Sequence, residues 1–387
     1  MANTRLEKLE SYVLSVIEGR RTGGQAAVLG WVLKQYSYLF RGIVQFRLWL
    51  YARGLFRHHA LGCQVLSVGN LTVGGTGKTP IVEVFARSLQ SQGRKVAILS
   101  RGYKRQQPSF GEKLFNRFTL RDGKQGPLVV SDGERLLHDS AISGDEPYML
   151  ASNLPDVAVV VDKNRVKAGQ YAIRHLGCDT LILDDGFQYM ALKHRLDIVL
   201  VDRTNPFGNE HVLPRGILRE PVKNVRRAGF IFITKSNGDG AVELKSRLRE
   251  LNPSAEISEC RHCARHLRNI YTGEQADLDF LKGRVVAAVS AIAVPKGFED
   301  ELVRQGAKVV YHKRYADHHR YTQQEIIDAI NKGLKRGAEA IITTEKDAVR
   351  FPFIERRDVP IYFLRVEIEM LSGAEAFHEW ISRICFH

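Results

Sequence analysis

Residues 67–80, SVGNLTVGGTGKTP, constrain this chain more than any other stretch. An apolar run, CQVLSVGN (63–70), enters a glycine-rich turn, and an amphipathic segment, IVEVFARSLQSQG, follows Lys78, Thr79 and Pro80. A strand, a tight turn and a helix start in that order leave the helix's first backbone N–H groups free to meet an anion. The phosphate-loop pattern G-x-x-x-x-G-K-[ST] is met at Gly77, Lys78 and Thr79, but Thr72 stands at its first glycine. Gly74, Gly75 and Gly77 still let the backbone approach phosphates. The loop Thr72, Val73, Gly74, Gly75, Thr76, Gly77, Lys78, Thr79 is therefore the expected nucleotide-binding segment. Lys78 would neutralise β/γ-phosphate charge, and the Thr79 hydroxyl would ligate magnesium.

The rest of the chain repeats the strand-and-helix alternation. KVAILSRG (95–102), VAVVVD (157–162), TLILDDG (180–186), DIVLVD (197–202) and GFIFITK (229–235) are short continuous apolar runs. Such runs, separated by helical segments, predict parallel strands covered on both faces. A second series follows at 284–292, 307–315, 338–349 and 359–370, after the break SNGDGA (236–241). The expected class is α/β with two domains and a cleft between them. The expected spans are a helical segment over 1–62, a phosphate-loop core over 63–235 and a second α/β domain over 236–387.

Five further clusters bear on chemistry. Asp184 and Asp185 end the run TLIL, where carboxylates near a magnesium ion belong. SGDEP (143–147) offers Asp145 or Glu146 as a base toward an acceptor hydroxyl, and YADHHRYT (315–322) places Asp317, His318 and His319 together. Cys260 and Cys263 have the spacing of half a zinc site, but no second Cys-x-x-Cys completes it, so metal binding there is not expected. Thr234-Lys235-Ser236-Asn237 lacks the Asp that would pair with guanine, which favours adenine.

Lys and Arg outnumber Asp and Glu by 57 to 43, a net charge of +14 that points to anionic partners. No sheet combines basic clusters with base-stacking aromatics, so nucleic acid is not expected. Five scattered cysteines and a charged N-terminus, MANTRLEKLESY, suit a reducing, cytoplasmic setting. No segment is apolar for long enough to span a bilayer. Residues 36–57 mix Phe40, Phe46, Trp49 and Phe56 with Arg41, Arg47, Arg53 and Arg57, which fits either a helix at a membrane interface or one packed on the core.

SVGNLTVGGTGKTP, SRGY (100–103), GDEP (144–147), DDGFQ (184–188), NPFGN…LPRGILREP (205–221), ADHHRYT (316–322) and TTEKDAVR (343–350) together resemble the tetraacyldisaccharide 4′-kinases. The resemblance spans roughly residues 40–350 and implies two α/β/α domains joined by a short β linker. It implies ATP and Mg2+ as cofactors and the 4′-hydroxyl of an acylated glucosamine disaccharide 1-phosphate as acceptor. It also implies action as a peripheral protein on the cytoplasmic face of the inner membrane, with no obligate protein partner inferred. Matched position by position, Asp145 becomes the base and His318 its partner. Asp184 and Asp185 lie near magnesium, with Glu220 as a further ligand and Gln188 and Arg219 beside them. It also favours the interfacial reading of residues 36–57. Two departures stand out: Tyr189 replaces the histidine that usually follows DDGFQ, and the tract 104–130 is longer than usual, suggesting a hairpin insertion. The rival is a regulatory or metallochaperone-like P-loop NTPase, which would need neither the Asp145–His318 pair nor a lipid-facing helix.

Overall fold

The computed structural model describes residues 12–17, 19–102 and 126–386. Among the described residues thirteen strands occur: β1 (Gln64–Asn70), β2 (Val96–Ser100), β3 (Leu128–Asp132), β4 (Ala158–Val161), β5 (Thr180–Asp184), β6 (Leu196–Asp202), β7 (Phe230–Thr234), β8 (Glu256–Asn269), β9 (Gln275–Ala276), β10 (Val285–Ser290), β11 (Lys308–Arg314), β12 (Ala340–Thr344) and β13 (Ile361–Ser372). Helices alternate with most of them, as the apolar runs predict. The tract 104–130 lies outside the described residues as far as residue 125, as does Tyr103 of the SRGY motif.

The residues gather into two compact units, each built from several stretches of chain. The first draws on Met1–Val82, Asp179–Arg261 and Met370–His387. In it β1 pairs in parallel with β5 on one side and β6 on the other, and β7 extends the row from β6 to the start of β8. All seven residues of β1 except Gln64 are buried, and β5 and β7 are buried throughout. A strand buried on both faces has no polar side to alternate with, hence the unbroken apolar runs.

The helix Gly24–Ala52 belongs to this unit. Phe40 packs on the core around Leu71, Phe187 and Val199. Ser37 Oγ donates to the Val212 carbonyl at 2.6 Å, and Gln45 donates to Asn224 at 3.1 Å. Only Ala26 and Ser37 are buried, while Trp31, Leu39, Ile43, Phe46 and Trp49 are exposed. No helix among the described residues is long and apolar enough to cross a membrane.

The second unit comprises Glu83–Cys178 and His262–Glu369. It holds β2 and β4 in parallel, with β3 antiparallel to β4. It also holds the parallel row β11–β10–β12–β13. Here the two-residue period of a strand sorts the core into two layers. Ala287, Val289 and Ile341 pack with Ile326 and Ile330 of the helix Gln323–Leu334. Val286, Ala288, Ala340 and Ile342 pack on the opposite face with Leu302 and Phe298 of the helix Pro295–Arg304.

Candidate active site

Strand β1 runs directly into the phosphate loop. Thr72 forms an antiparallel bridge with Leu218, Val73 N–H donates to the Ile217 carbonyl at 2.7 Å, and Arg219 N–H donates to that of Leu71 at 2.7 Å. Thr72 therefore sits in a short two-stranded pairing, a conformation open to any β-former, and the missing glycine is not needed. The glycines that follow are needed, since Gly74 and Gly77 have φ of 128° and 79°. Thr76 is buried and clamped from two sides: Asn70 Nδ2 donates to its hydroxyl at 3.0 Å, and the Thr234 hydroxyl donates to its carbonyl at 3.1 Å. The helix Lys78–Ser91 starts at once, and Pro80 sits in its first turn, where no intrahelical N–H is lost.

The acidic pair lies one strand away. Asp184 ends β5 opposite Val68 of β1 and is buried, whereas Asp185 turns outward at φ 57°. Arg219 Nη1 donates to both Asp185 oxygens at 2.8 and 2.7 Å, and Lys78 Nζ stands 3.6 Å away. The motif glycines hold the two strands' ends close. A Cβ on Gly69 would lie 2.7 Å from the Phe187 Cβ, and one on Gly186 would lie 2.9 Å from the Ser67 hydroxyl.

Gln188 Nε2 donates to the Asn70 carbonyl at 3.0 Å, and its own carbonyl accepts from Arg47 at 2.6 Å. The side-chain oxygens of Gln188, Asn70 and Ser67 are buried without a hydrogen-bond partner. An unmatched buried acceptor costs about 1–3 kcal/mol, so such atoms mark a place built for something more. The hydroxyl of Thr79 and the carboxylates of Asp184 and Asp185 are the hard oxygen ligands that would suit Mg2+ and its water shell. Glu220 is placed differently from these: it is fully buried, and its carboxylate is held by Asn224 at 2.7 Å and Arg227 at 3.0 Å. Tyr189 N–H donates to the Gly186 carbonyl at 2.7 Å, closing the turn after the acidic pair.

In the second unit, Asp145 opens the helix Asp145–Asn153 behind Gly144 at φ 92°. His318, itself at φ 64°, places Nδ1 3.0 Å from Asp145 Oδ2. Arg350 Nε lies 3.4 Å from the same oxygen, and Arg320 lies 3.8 Å from Oδ1. Burial alone would raise the Asp145 carboxyl, but the His318 hydrogen bond and the charges of Arg350 and Arg320 outweigh it and hold it below the usual range. Arg350 is anchored in turn by Asp347 at 3.0 Å, and that buried carboxylate also accepts from Tyr321 at 2.9 Å and Thr344 at 2.6 Å. Desolvation and the Asp347 charge push the Tyr321 hydroxyl far up, so it stays a donor.

Sequence reasoning finds Asp145 and His318 but assigns nothing to Lys346, Asp347 or Arg350. The signal was present in TTEKDAVR, where the three lie within five positions, without any hint of which faced inward. Cys260 and Cys263 lie on β8 three residues apart, so their side chains point to opposite faces. The Cys260 thiol is pushed up to about 12, first by burial and then by Glu259. No cluster of three or more metal-ligating side chains occurs among the described residues, so the carboxylate pair would hold magnesium only together with waters and phosphate oxygens.

A parallel sheet whose strand leads through a glycine loop into a Lys-Thr helix start, with carboxylates on the neighbouring strand, defines a P-loop nucleotide-binding protein. The family described as Tetraacyldisaccharide-1-P 4'-kinase matches residues 29–385. The Tetraacyldisaccharide 4'-kinase of Anaeromyxobacter dehalogenans (strain 2CP-C) is 38% identical over 362 residues, covering 92% of this chain and 90% of its own. That of Halothermothrix orenii is 35% identical over 389 residues and covers 96% of each. The solved structure of LpxK from Aquifex aeolicus in complex with ATP superposes with a TM-score of 0.72 at 30% identity, covering 92% of this chain and 100% of that one. The chain belongs to the tetraacyldisaccharide 4′-kinase family.

Proposed function

We infer that the protein transfers the γ-phosphoryl group of ATP to the 4′-hydroxyl of a tetraacylated glucosamine disaccharide 1-phosphate. The observation that carries this reading beyond simple nucleotide hydrolysis is the Asp145–His318 contact at 3.0 Å. An NTPase that only drives a partner needs no carboxylate held ionised by a histidine and two arginines.

Residues 72–79 hold the triphosphate through backbone N–H groups and the helix start. Lys78 offsets charge on the β- and γ-phosphates and is kept in place by Asp185. Thr79, Asp184 and Asp185 hold Mg2+, which when bound offsets charge on the transferring phosphoryl group. Arg219 fixes Asp185 through Nη1, which donates to both carboxylate oxygens. Glu220 serves this site through Arg227 and Asn224, which tie the segment 217–220 to Phe187 and Gln45. Asp145 accepts the 4′-hydroxyl proton as the oxygen attacks phosphorus: the O–H bond breaks, the O–P bond forms, and the P–O bond to ADP breaks.

The acceptor's acyl chains place the reaction at a bilayer surface. The exposed apolar residues of the helix Gly24–Ala52, with Arg41, Arg47 and Arg53 among them, fit an interfacial helix on anionic lipid. Incubation of the purified protein with ATP, Mg2+ and the acylated disaccharide 1-phosphate, with product mapped by mass spectrometry, tests the reading. A 4′-phosphorylated product is expected. ATP consumption without it would leave only an NTPase.

A further inference from the structure

Lys346 has no part in the roles above, yet its ammonium lies 3.2 Å from His318 Nε2 and 3.4 Å from a Glu146 oxygen. An ammonium carries three N–H donors and no acceptor. Nε2 must therefore present its lone pair, and the proton of the neutral ring must sit on Nδ1. That nitrogen faces Asp145 Oδ2 at 3.0 Å, where the proton is donated. A doubly protonated ring would instead turn an N–H toward the ammonium, placing like charges in contact.

We propose that Lys346 is a positioning residue for the Asp145–His318 pair: it fixes the imidazole as the neutral Nδ1–H tautomer, and Glu146 holds it in place. The proposal rests on the reading that Asp145 and His318 serve the acceptor hydroxyl. Adjacent carboxylates divide the work, Asp145 taking the imidazole and Glu146 the ammonium. The backbone is set by the same guanidinium that faces Asp145, since Arg350 Nε donates to the Lys346 carbonyl at 3.1 Å. Other charges near the ring include Asp317, whose carboxylate stands 3.9 Å from Nε2, and Arg320 and Arg350, which face Asp145. Asp317 favours a charged ring, but Lys346 opposes it from a shorter distance. A charged His318 would form a full ion pair with Asp145 and weaken it as a base. A neutral ring donating through Nδ1 holds Oδ2 and leaves Oδ1 to take the substrate proton.

The test is 15N NMR of the full-length protein labelled in its histidine rings, with His318→Gln to assign the signal, alongside pH–rate profiles. In the wild type, Nδ1 of His318 should be protonated and Nε2 bare at about pH 7. Lys346→Met should add Nε2–H or doubly protonated ring and move the acid limb of kcat up by about one pH unit. That is about a tenfold loss near pH 6, recovered above about pH 8. Lys346→Arg, which keeps a donor toward Nε2, should restore both tautomer and profile. Glu146→Gln, a milder change, should shift the tautomer part of the way. A wild-type ring protonated at Nε2, or an unchanged tautomer and acid limb in Lys346→Met, overturns the proposal. If Asp145→Asn turned over normally the base reading would fall, while the NMR result would still decide what Lys346 does.

Discussion

Asp145 shows how one side chain's surroundings decide its chemistry. Its carboxylate is buried, yet the His318 hydrogen bond, two arginines and a helix N-terminus keep it ionised. Asp145→Asn keeps the shape and removes the proposed base, so kcat should fall by about 10²–10⁴-fold with the KM for ATP little changed, measured in steady state. The pH dependence has a definite sign. A carboxyl lowered by folding contributes stability that is present above the unfolded value and lost as pH falls through the lowered folded value. Asp145→Asn should therefore narrow the stability gap to wild type in acid, by urea unfolding across pH. Gly69 is a different constraint, one of space. Its missing Cβ would meet Phe187 at 2.7 and 2.9 Å, including backbone, so Gly69→Ala should cost about 1–3 kcal/mol of stability.

At the scale of the element, strands buried on both faces were the most legible part of the molecule. β1, β5, β6 and β7 fall within a residue or two of their apolar runs, because nothing polar interrupts them. β8 was invisible for the opposite reason. Its stretch CRHCARHLR is dense in charge, and fourteen residues of strand carry only scattered apolar positions. β3 is short, half-buried and antiparallel at its pairing with β4, with no helix to announce it. Elements are also tied by polar contacts that no pattern predicts. Arg365 of β13 is buried between Glu83 of the helix Lys78–Ser91 and Glu345, at 2.7 Å from the latter, with Asn153 donating to both at 2.9 and 2.8 Å. Burial raises the Glu345 carboxyl even with Arg365 beside it. Arg365→Met would strand two carboxylates, and a loss of about 3–5 kcal/mol is expected by thermal or denaturant unfolding.

For the molecule as a whole, the helix Gly24–Ala52 stands out because packing leaves a run of its large apolar side chains exposed. Trp31 and Phe46 are 64% and 60% exposed, so Trp31→Ser with Phe46→Ser should leave the unfolding midpoint nearly unchanged. The same pair should weaken co-sedimentation with anionic liposomes; equal partitioning would show that this face does not bind lipid. The sequence by itself determined the glycine loop between strand and helix, the acidic strand end, the α/β class and the family, because each rests on local order: strand, glycine, lysine, carboxylate. It also singled out Asp145 and His318 as candidates. Only the tertiary structure decided that these two residues, separated by 173 positions, meet at 3.0 Å, and that Lys346, Glu146 and Arg350 hold them. It also decided that Glu220 answers to Arg227 and Asn224. Local sequence sets backbone preference and burial period, whereas the partner of a buried charge is chosen by which distant strands and loops the packing brings beside it.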